Sequence, residues 1–308
     1  MTERSGRIGP AGSVGDLLRR PATALTRMRR VVRRATARVP RDPVIVLGNQ
    51  KSGTSAIAGL LGLAADVPAR IDIPRANKRG QWRPLAEGRL DFDGLVRGNR
   101  EAFAHRIVKE PNLTLFADDV LRRFPAARLV FVVRDPRDNV RSILNRLGLP
   151  GDREELPAGT VAGLPDSWPL VVDGRWIGID GDTYVDRLAG RWNRMVDTWR
   201  RHRERMILVR YEDFMVDRVA AIERLAESVG LPVRRDVSTD VDRRFQPPGD
   251  RGVRWLDFFG AANLERIEGR CREGMEELGY AASDRGPGPA DAGGAGTGGM
   301  EDRPCASR

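Results

Sequence analysis

Residues 43–61, PVIVLGNQKSGTSAIAGLL, constrain the fold more than any other stretch of this chain. A short apolar run at residues 44–47 is followed by a loop of small and polar residues, and a helical pattern begins at Thr54 or Ser55. In such a loop, several backbone N–H groups point into one concavity beside the positive end of the helix dipole. The stretch therefore predicts a strand, a phosphate- or sulfate-binding loop and a helix.

The side chains of this loop strengthen the prediction of an anion site. Lys51 supplies a positive charge, and further donors come from the hydroxyls of Ser52, Thr54 and Ser55. The common nucleoside-triphosphate loop, G-x-x-x-x-G-K-[ST], places its Lys directly after the second Gly. Here the spacing from Gly48 to Gly53 fits, but Lys51 precedes Gly53 by two positions. The alternative is that Gly53 only allows a strand to turn into a helix.

Charge is concentrated at the amino-terminal end. The 308 residues carry a net charge of +10, and residues 1–42 hold 11 Arg and three acidic residues, which leaves a nearly neutral body. Because no run of 18 apolar residues occurs and no secretory pattern opens the chain, we predict a cytoplasmic protein. The basic leader, residues 1–42, is either an amphipathic segment that makes a peripheral membrane or partner contact, or a solvated arm. No specific nucleic-acid partner is expected.

The carboxyl-terminal end has a different composition. Residues 281–308 are dominated by Gly, Ala, Pro and Asp, which predicts a disordered tail. The two cysteines, Cys271 and Cys305, and the two histidines, His105 and His202, are too few and too scattered for a zinc cluster.

Between these ends, apolar runs alternate with helical patterns, which predicts a single α/β domain over residues 43–280, with three layers around a central parallel sheet. After the first strand, we predict strands at residues 67–71, 106–109, 128–133 and 206–210. We predict helices at residues 54–64, 114–124, 136–147, 183–202, 217–229 and 261–278. The Gly- and Pro-rich residues 147–182 form a long connection, which is typical of a lid or a substrate-facing loop.

A second informative stretch, residues 127–147, ends an apolar strand at Arg134 and begins a helix at Pro136. An Arg at the carboxyl end of a parallel strand lies where such sheets bind ligands, so Arg134 is a candidate for a second phosphate. Ser142 follows on the helix and adds a hydroxyl. The alternative is that Arg134 only pairs with Asp135 or Asp138.

Two weaker stretches follow. Tyr211, after the strand at residues 206–210, offers a flat face for a purine. Glu212 and Asp213 can bond nearby backbone or cap the next helix. Arg251 and Gly252 have the pattern of a flexible phosphate clamp.

In this order, the four stretches resemble the sulfotransferases that use 3′-phosphoadenosine-5′-phosphosulfate (PAPS). QKSGTS at residues 50–55 is similar to the 5′-phosphosulfate loop of that family, in which Lys precedes Ser-Gly-Thr. Arg134, Pro136 and Ser142 match its 3′-phosphate motif, and the resemblance extends to Tyr211 near the adenine and to Arg251-Gly252 as a late 3′-phosphate loop.

The resemblance implies a fold related to P-loop nucleotide kinases and in-line transfer of a sulfuryl group from PAPS, the co-substrate, to an acceptor hydroxyl or amine. No metal is required in the family. Lys51 would then meet the charge that develops on the departing phosphate.

The resemblance also restricts the general base. Aryl and steroid members use a His two residues after a Lys at a strand end, where this chain has Lys109 and then Pro111. Carbohydrate- and lipid-type members, which often use a carboxylate, are therefore the closer comparison. Glu110 is the first candidate, with Lys109 beside it to stabilise the sulfuryl oxygens. Asp72 is a competitor, and His105 comes third. The alternative is that Glu110 only forms an ion pair.

Two other functions stay open at the level of sequence. The chain could be a P-loop kinase or nucleoside triphosphatase that uses Mg-ATP, or a noncatalytic nucleotide- or membrane-binding protein. The acceptor is expected to contact residues 73–99 and 147–182. In these segments Trp82, Trp168 and Trp176 either stack on a sugar, line an apolar channel or belong to the core.

Overall fold

The computed structural model describes residues 37–242 and 252–281. At its centre lies a five-stranded parallel sheet with the strand order β2-β3-β1-β4-β5. The strands are β1 (Val44–Gly48), β2 (Ala69–Ile71), β3 (Ile107–Lys109), β4 (Arg128–Val133) and β5 (Met206–Arg210). The chain leaves β1 towards one side, returns beside it as β3, and then crosses to β4 on its other side. Such a reversal opens a crevice at the carboxyl end of β1, where parallel sheets bind ligands.

Twelve α-helices lie within the described residues. They are α1 (Thr54–Ala65), α2 (Pro74–Lys78), α3 (Trp82–Ala86), α4 (Phe92–Gly98), α5 (Arg100–Phe103), α6 (Ala117–Arg123), α7 (Pro136–Leu147), α8 (Trp168–Asp173), α9 (Tyr184–Arg201), α10 (Tyr211–Val216), α11 (Arg218–Ser228) and α12 (Trp255–Glu277). Short 3-10 helices occur at Pro111–Phe116, Arg175–Ile177 and Arg203–Arg205.

Alternate side chains of the sheet pack into two apolar layers. Ile45 and Leu47 face a core that α7, α9 and α12 cover, whereas Val44 and Val46 face a second core under α1 and α11. All five residues of β1 are buried, as a strand covered on both faces requires. The predicted three-layer α/β domain with a central parallel sheet is confirmed.

Several predicted boundaries were wrong for local reasons. The last helix, Trp255–Glu277, is interrupted by a non-helical Gly260 (φ 67°), so the predicted start at residue 261 matches its second segment and the first segment was missed. The strand predicted to begin at residue 67 begins at Ala69, and the helix predicted from residue 114 starts as a 3-10 helix. Residues 73–103 form four short helices, and residues 147–182 contain α8 and a 3-10 turn, which are too short to give a clear helical period.

Some predictions lie outside the described residues: those for Arg251, for Cys305, for residues 282–308 of the tail and for residues 1–36 of the leader. Among the described helices, none is long and apolar enough to cross a membrane.

Candidate active site

Residues 49–53, which we call the anion loop, join the carboxyl end of β1 to the amino end of α1. At both ends of the loop the backbone takes positive φ angles where a side chain could not fit. A Cβ on Gly48 (φ 133°) would lie 2.2 Å from the Val132 carbonyl oxygen, and a Cβ on Gly53 (φ 89°) would lie 2.3 Å from the Tyr211 ring. Gly53 is the N-cap residue of α1 and has no side chain with which to cap it, so the first-turn N–H groups can serve an anion.

Asn139 of α7 holds the anion loop in place by hydrogen bonds. This side chain is fully buried, and its Nδ2 donates to the Gln50 carbonyl at 2.8 Å and to the Ser52 hydroxyl at 2.9 Å. Its Oδ1 accepts from the side chain of Asn49 at 2.8 Å. Buried amides with satisfied partners fix backbone geometry, so Asn139 sets the shape of the loop.

Two further buried side chains hold the loop. Thr114 accepts the Gly48 N–H at 2.8 Å. Arg191 of α9 donates to the side chains of Asn49 and Gln50. The sequence reasoning missed Asn139, Thr114 and Arg191, because a loop motif does not indicate which distant residues will pack against it.

Arg134 connects the loop to the second predicted motif. Its buried guanidinium lies 4.8 Å from the centroid of the Tyr211 ring and donates to the Lys51 carbonyl at 3.4 Å and to Asp138 at 3.0 Å. Because the same Tyr211 ring also contacts Gly53, the structure brings the loop, Arg134 and Tyr211 together. The pairing of Arg134 with Asp138 that the sequence left open is also present.

Asp138 of α7 connects this helix to the segment that begins at Gly252. Its carboxylate accepts from Arg141 at 2.6 Å and from the Trp255 indole at 2.8 Å, and Arg141 also donates to the Val253 carbonyl. Burial opposes ionisation of Asp138, but Arg134, Arg141 and Trp255 together lower its pKa. These contacts place the segment that begins at Gly252 beside α7, on which Ser142 is half-buried.

Glu212 supports the site through its hydrogen bonds, whereas Asp213 is exposed and lies 3.5 Å from Arg210 Nη1. Glu212 accepts the Asp135 N–H at 3.0 Å and the Tyr280 hydroxyl at 2.9 Å, and it thereby ties the ends of β4 and β5 to the end of α12. Burial raises the pKa of Glu212.

On the other side of β1, Lys109 and Asp72 form an ion pair of 2.5 Å at the ends of β3 and β2. The Lys109 side chain is 3% exposed and that of Asp72 is 39% exposed, so only the carboxylate is accessible to a large ligand. Asp72 takes a left-handed conformation (φ 63°), and its N–H donates to the Lys109 carbonyl at 2.7 Å.

Glu110, the next residue, is buried and surrounded by donors. One oxygen accepts from the Ile73 N–H and the Asn77 amide at 3.0 and 3.1 Å. The other accepts from the N–H and the side-chain amide of Asn112 at 3.2 and 3.1 Å. Burial raises the pKa of Glu110, and the charge of Asp72 adds to the rise, while Lys109 and the backbone N–H groups oppose it.

The remaining predicted residues are His105 and three tryptophans. His105 precedes β3 at the amino ends of the strands, whereas the anion loop lies at their carboxyl ends. The His105 ring lies against the Ala102 carbonyl. Trp82 is fully buried and donates to Asn77, which makes it a core residue, and Trp168 and Trp176 are partly buried against the same core. Among the described residues, no group of three His, Cys, Asp or Glu side chains could hold a metal ion.

A parallel sheet with a glycine-bounded loop at its switch point, flanked by Lys51 and Arg134, defines a nucleotide-binding α/β domain. The sulfotransferase domain family model matches residues 41–248. The match covers more than half of the chain, which therefore belongs to the sulfotransferase domain family.

Solved structures with a similar fold include sulfotransferases from bacteria and from mouse. Sulfotransferase STF9 from Mycobacterium avium is 16% identical with a TM-score of 0.43, and the alignment covers 82% of this chain and 80% of that one. Mouse sulfotransferase SULT7A1, solved with PAP, is 16% identical with a TM-score of 0.49, and the alignment covers 80% and 90%. A sulfotransferase from Alicyclobacillus acidocaldarius is 19% identical with a TM-score of 0.39, and the alignment covers 75% and 96%. A search of curated protein sequences found no match.

Proposed function

We propose that this chain is a PAPS-dependent sulfotransferase that acts on a hydroxyl or amine group of a carbohydrate, a lipid or a small metabolite. The observation that carries the proposal is the position of Arg134, which touches both the Lys51 carbonyl and the Tyr211 ring. Lys51 places one cation in the anion loop, and Arg134 places a second beside the Tyr211 ring. This arrangement suits a nucleotide that carries phosphates on both sides of its ribose. The membership of the chain in the sulfotransferase domain family supports the same ligand class.

The residues around the loop fit this co-substrate. The 5′-phosphosulfate would be held by the loop N–H groups and by the side chains of Gln50, Lys51, Ser52, Thr54 and Ser55. The 3′-phosphate would be held by Arg134, Ser142, Gly252 and Arg251. Tyr211 would face the adenine. Arg134 Nε is buried without a hydrogen-bond partner among the described residues, which leaves one donor for such a ligand.

In the reaction, the sulfur–oxygen bond to the 5′-phosphate breaks while a new bond to the acceptor forms, and adenosine 3′,5′-bisphosphate leaves. Negative charge then grows on the departing phosphate beside Lys51. Preorganised donors act where charge develops, and one such donor contributes about 3 kcal/mol to barrier lowering.

For the general base we favour Asp72 over Glu110. A base must come within hydrogen-bond distance of the acceptor proton. Asp72 is partly exposed at the carboxyl end of β2, whereas Glu110 is buried and already accepts four N–H donors. In this assignment Lys109 balances the charge of Asp72, while Glu110 holds Ile73 and Asn112 in place.

The proposal is tested by sulfate transfer from labelled PAPS into an extract of the source organism, followed by identification of the labelled product. We expect the wild-type chain to label a discrete product and Lys51→Ala to abolish the transfer. The exposed Arg128, at the amino end of β4, provides the control, since Arg128→Ala should leave the rate unchanged. A fully active Lys51→Ala variant would remove the central role of that residue.

A further inference from the structure

Arg191 lies completely buried behind the anion loop, and no part of the proposed reaction yet uses it. Its Nε lies 3.2 Å from both the Asn49 and the Gln50 side-chain oxygens. Its Nη2 donates to Gln50 at 3.1 Å and to Asn112 at 2.9 Å. The third nitrogen, Nη1, is buried without a hydrogen-bond partner among the described residues.

All of these acceptors are neutral amides. Within the described part of the chain, Arg191 forms no ion pair, and the carboxylate that favours its charge is Glu110, which is joined to it through Asn112. Buried charges in proteins are normally paired, because an unpaired guanidinium loses its hydration without compensation. Burial accordingly lowers the pKa of Arg191 to about 9.

The location of this charge suggests what compensates it. Asn49 and Gln50, which the guanidinium holds, are the first two residues of the anion loop, and Asn139 fixes the same two residues from the other side. An anion bound by the loop would therefore lie near the Arg191 charge, separated from it by Asn49 and Gln50. Nearby charges interact strongly when water is excluded between them.

We propose that Arg191 is a positioning residue for the 5′ end of the co-substrate: it fixes Asn49 and Gln50 and adds a buried positive charge behind the loop. The inference rests on the proposed function, because it assigns Arg191 to the 5′-phosphate side of the same nucleotide. Arg191 does not touch the ligand in this account. A purely structural arginine would stabilise the fold without distinguishing one end of the nucleotide from the other.

Affinities measured for two nucleotides, in the wild type and in a variant, distinguish these two roles. Arg191→Met keeps the length of the side chain and removes its charge, and calorimetry then gives the affinities for adenosine 3′,5′-bisphosphate and for adenosine 3′-monophosphate, which lacks the 5′-phosphate. We expect Arg191→Met to bind the bisphosphate at least tenfold more weakly, with less than a twofold change for the monophosphate. Arg194→Met is the matched control, because Arg194 is exposed three residues later on α9, and it should change neither affinity.

Equal losses for both nucleotides, or no loss for either, would overturn the inference. If Arg191→Met does not fold, Arg191→Gln tests the same step, because it also removes the charge but keeps a hydrogen-bonding side chain behind the loop. The bisphosphate should again be weakened selectively, and an unselective or absent effect would contradict the inference. Failure of the wild-type chain to bind the bisphosphate would instead contradict the proposed function, so the two failures are distinguishable.

Discussion

The Lys109 ammonium lies 2.5 Å from the Asp72 carboxylate, across the carboxyl ends of two neighbouring parallel strands. The lysine is buried, whereas the aspartate is partly exposed. The pair therefore presents a carboxylate to a ligand and keeps a cation immediately behind it. In a sulfotransferase, this arrangement suits a base that takes the acceptor proton beside a charge that can attract sulfuryl oxygens.

We expect Asp72→Asn to lower the transfer rate by about 100-fold or more, which is the usual contribution of a general base. Affinity for adenosine 3′,5′-bisphosphate should change less than about twofold, because Asp72 is not assigned to the nucleotide. Asn tolerates the left-handed backbone at this position, so the fold should persist. Asp66→Asn, at another left-handed aspartate, is the control. If Asp72→Asn is fully active, and Glu110→Gln is inactive although it is as stable as the wild type, then Glu110 is the base instead.

Glu110→Gln should act mainly on stability. Each carboxylate oxygen of Glu110 accepts two N–H donors. In glutamine one of these oxygens is replaced by an NH2 group, so the two buried N–H groups on that side would lose their acceptor. We expect the free energy of unfolding to fall by about 3 kcal/mol, measured by urea denaturation. Glu204→Gln, at an exposed glutamate, should be neutral. An unchanged unfolding midpoint in Glu110→Gln would show that the hydrogen bonds around Glu110 do not support the fold.

Arg134→Gln should reduce the preference for adenosine 3′,5′-bisphosphate over 5′-AMP by about tenfold or more, because a charge-assisted contact to the 3′-phosphate is removed. Affinity for 5′-AMP itself should fall much less. The exposed Arg146 of α7 supplies the control Arg146→Gln. Equal weakening of both nucleotides would place Arg134 outside the 3′-phosphate site.

Stability at acidic pH should depend on Asp186, which joins α9 to α12. Its carboxylate accepts the Thr183 N–H at 3.0 Å and Arg270 Nε at 3.0 Å. Burial opposes ionisation, but these partners outweigh it and lower the pKa of Asp186 below its ordinary value of 3.8. The stabilisation is therefore present above about pH 4 and is lost as the pH falls through the pKa of the folded state.

We expect Asp186→Asn to cost about 1 kcal/mol of unfolding free energy at pH 7, as the loss of a helix-capping interaction does. It should also flatten the dependence of stability on pH below about 4. Urea denaturation across this pH range measures both effects. Parallel pH profiles for the variant and the wild type would contradict the assignment.

The sequence predicted the parts of the site that are encoded locally. In β1, the anion loop and α1, the apolar strand, the glycines and Lys51 are consecutive, so their pattern specifies strand, loop and helix together. Arg134 was predicted for the same reason, since it ends an apolar strand just before Pro136. The side chains that shape the loop were not predicted. Asn139 and Arg191 lie about 90 and 140 positions away from their partners in the loop, and only the fold brings them together.

The acceptor side was harder to predict. The helices α2 to α5 are four to seven residues long, so each gives barely one or two turns of periodicity. The choice between Glu110 and Asp72 depended on burial and on the number of donors around each carboxylate, neither of which the sequence states. Trp82 was ambiguous for the same reason, because an aromatic residue in a short helix suits either a core or a ligand surface.

The central claim is that the anion loop and Arg134 bind a nucleotide with phosphates at both its 3′ and 5′ positions. The most direct test is titration calorimetry of the full chain with adenosine 3′,5′-bisphosphate in EDTA, compared with Mg-ATP. We predict saturable binding of the bisphosphate without a divalent metal, much tighter than the binding of 5′-AMP or Mg-ATP. Tight binding of Mg-ATP with no binding of the bisphosphate would contradict it.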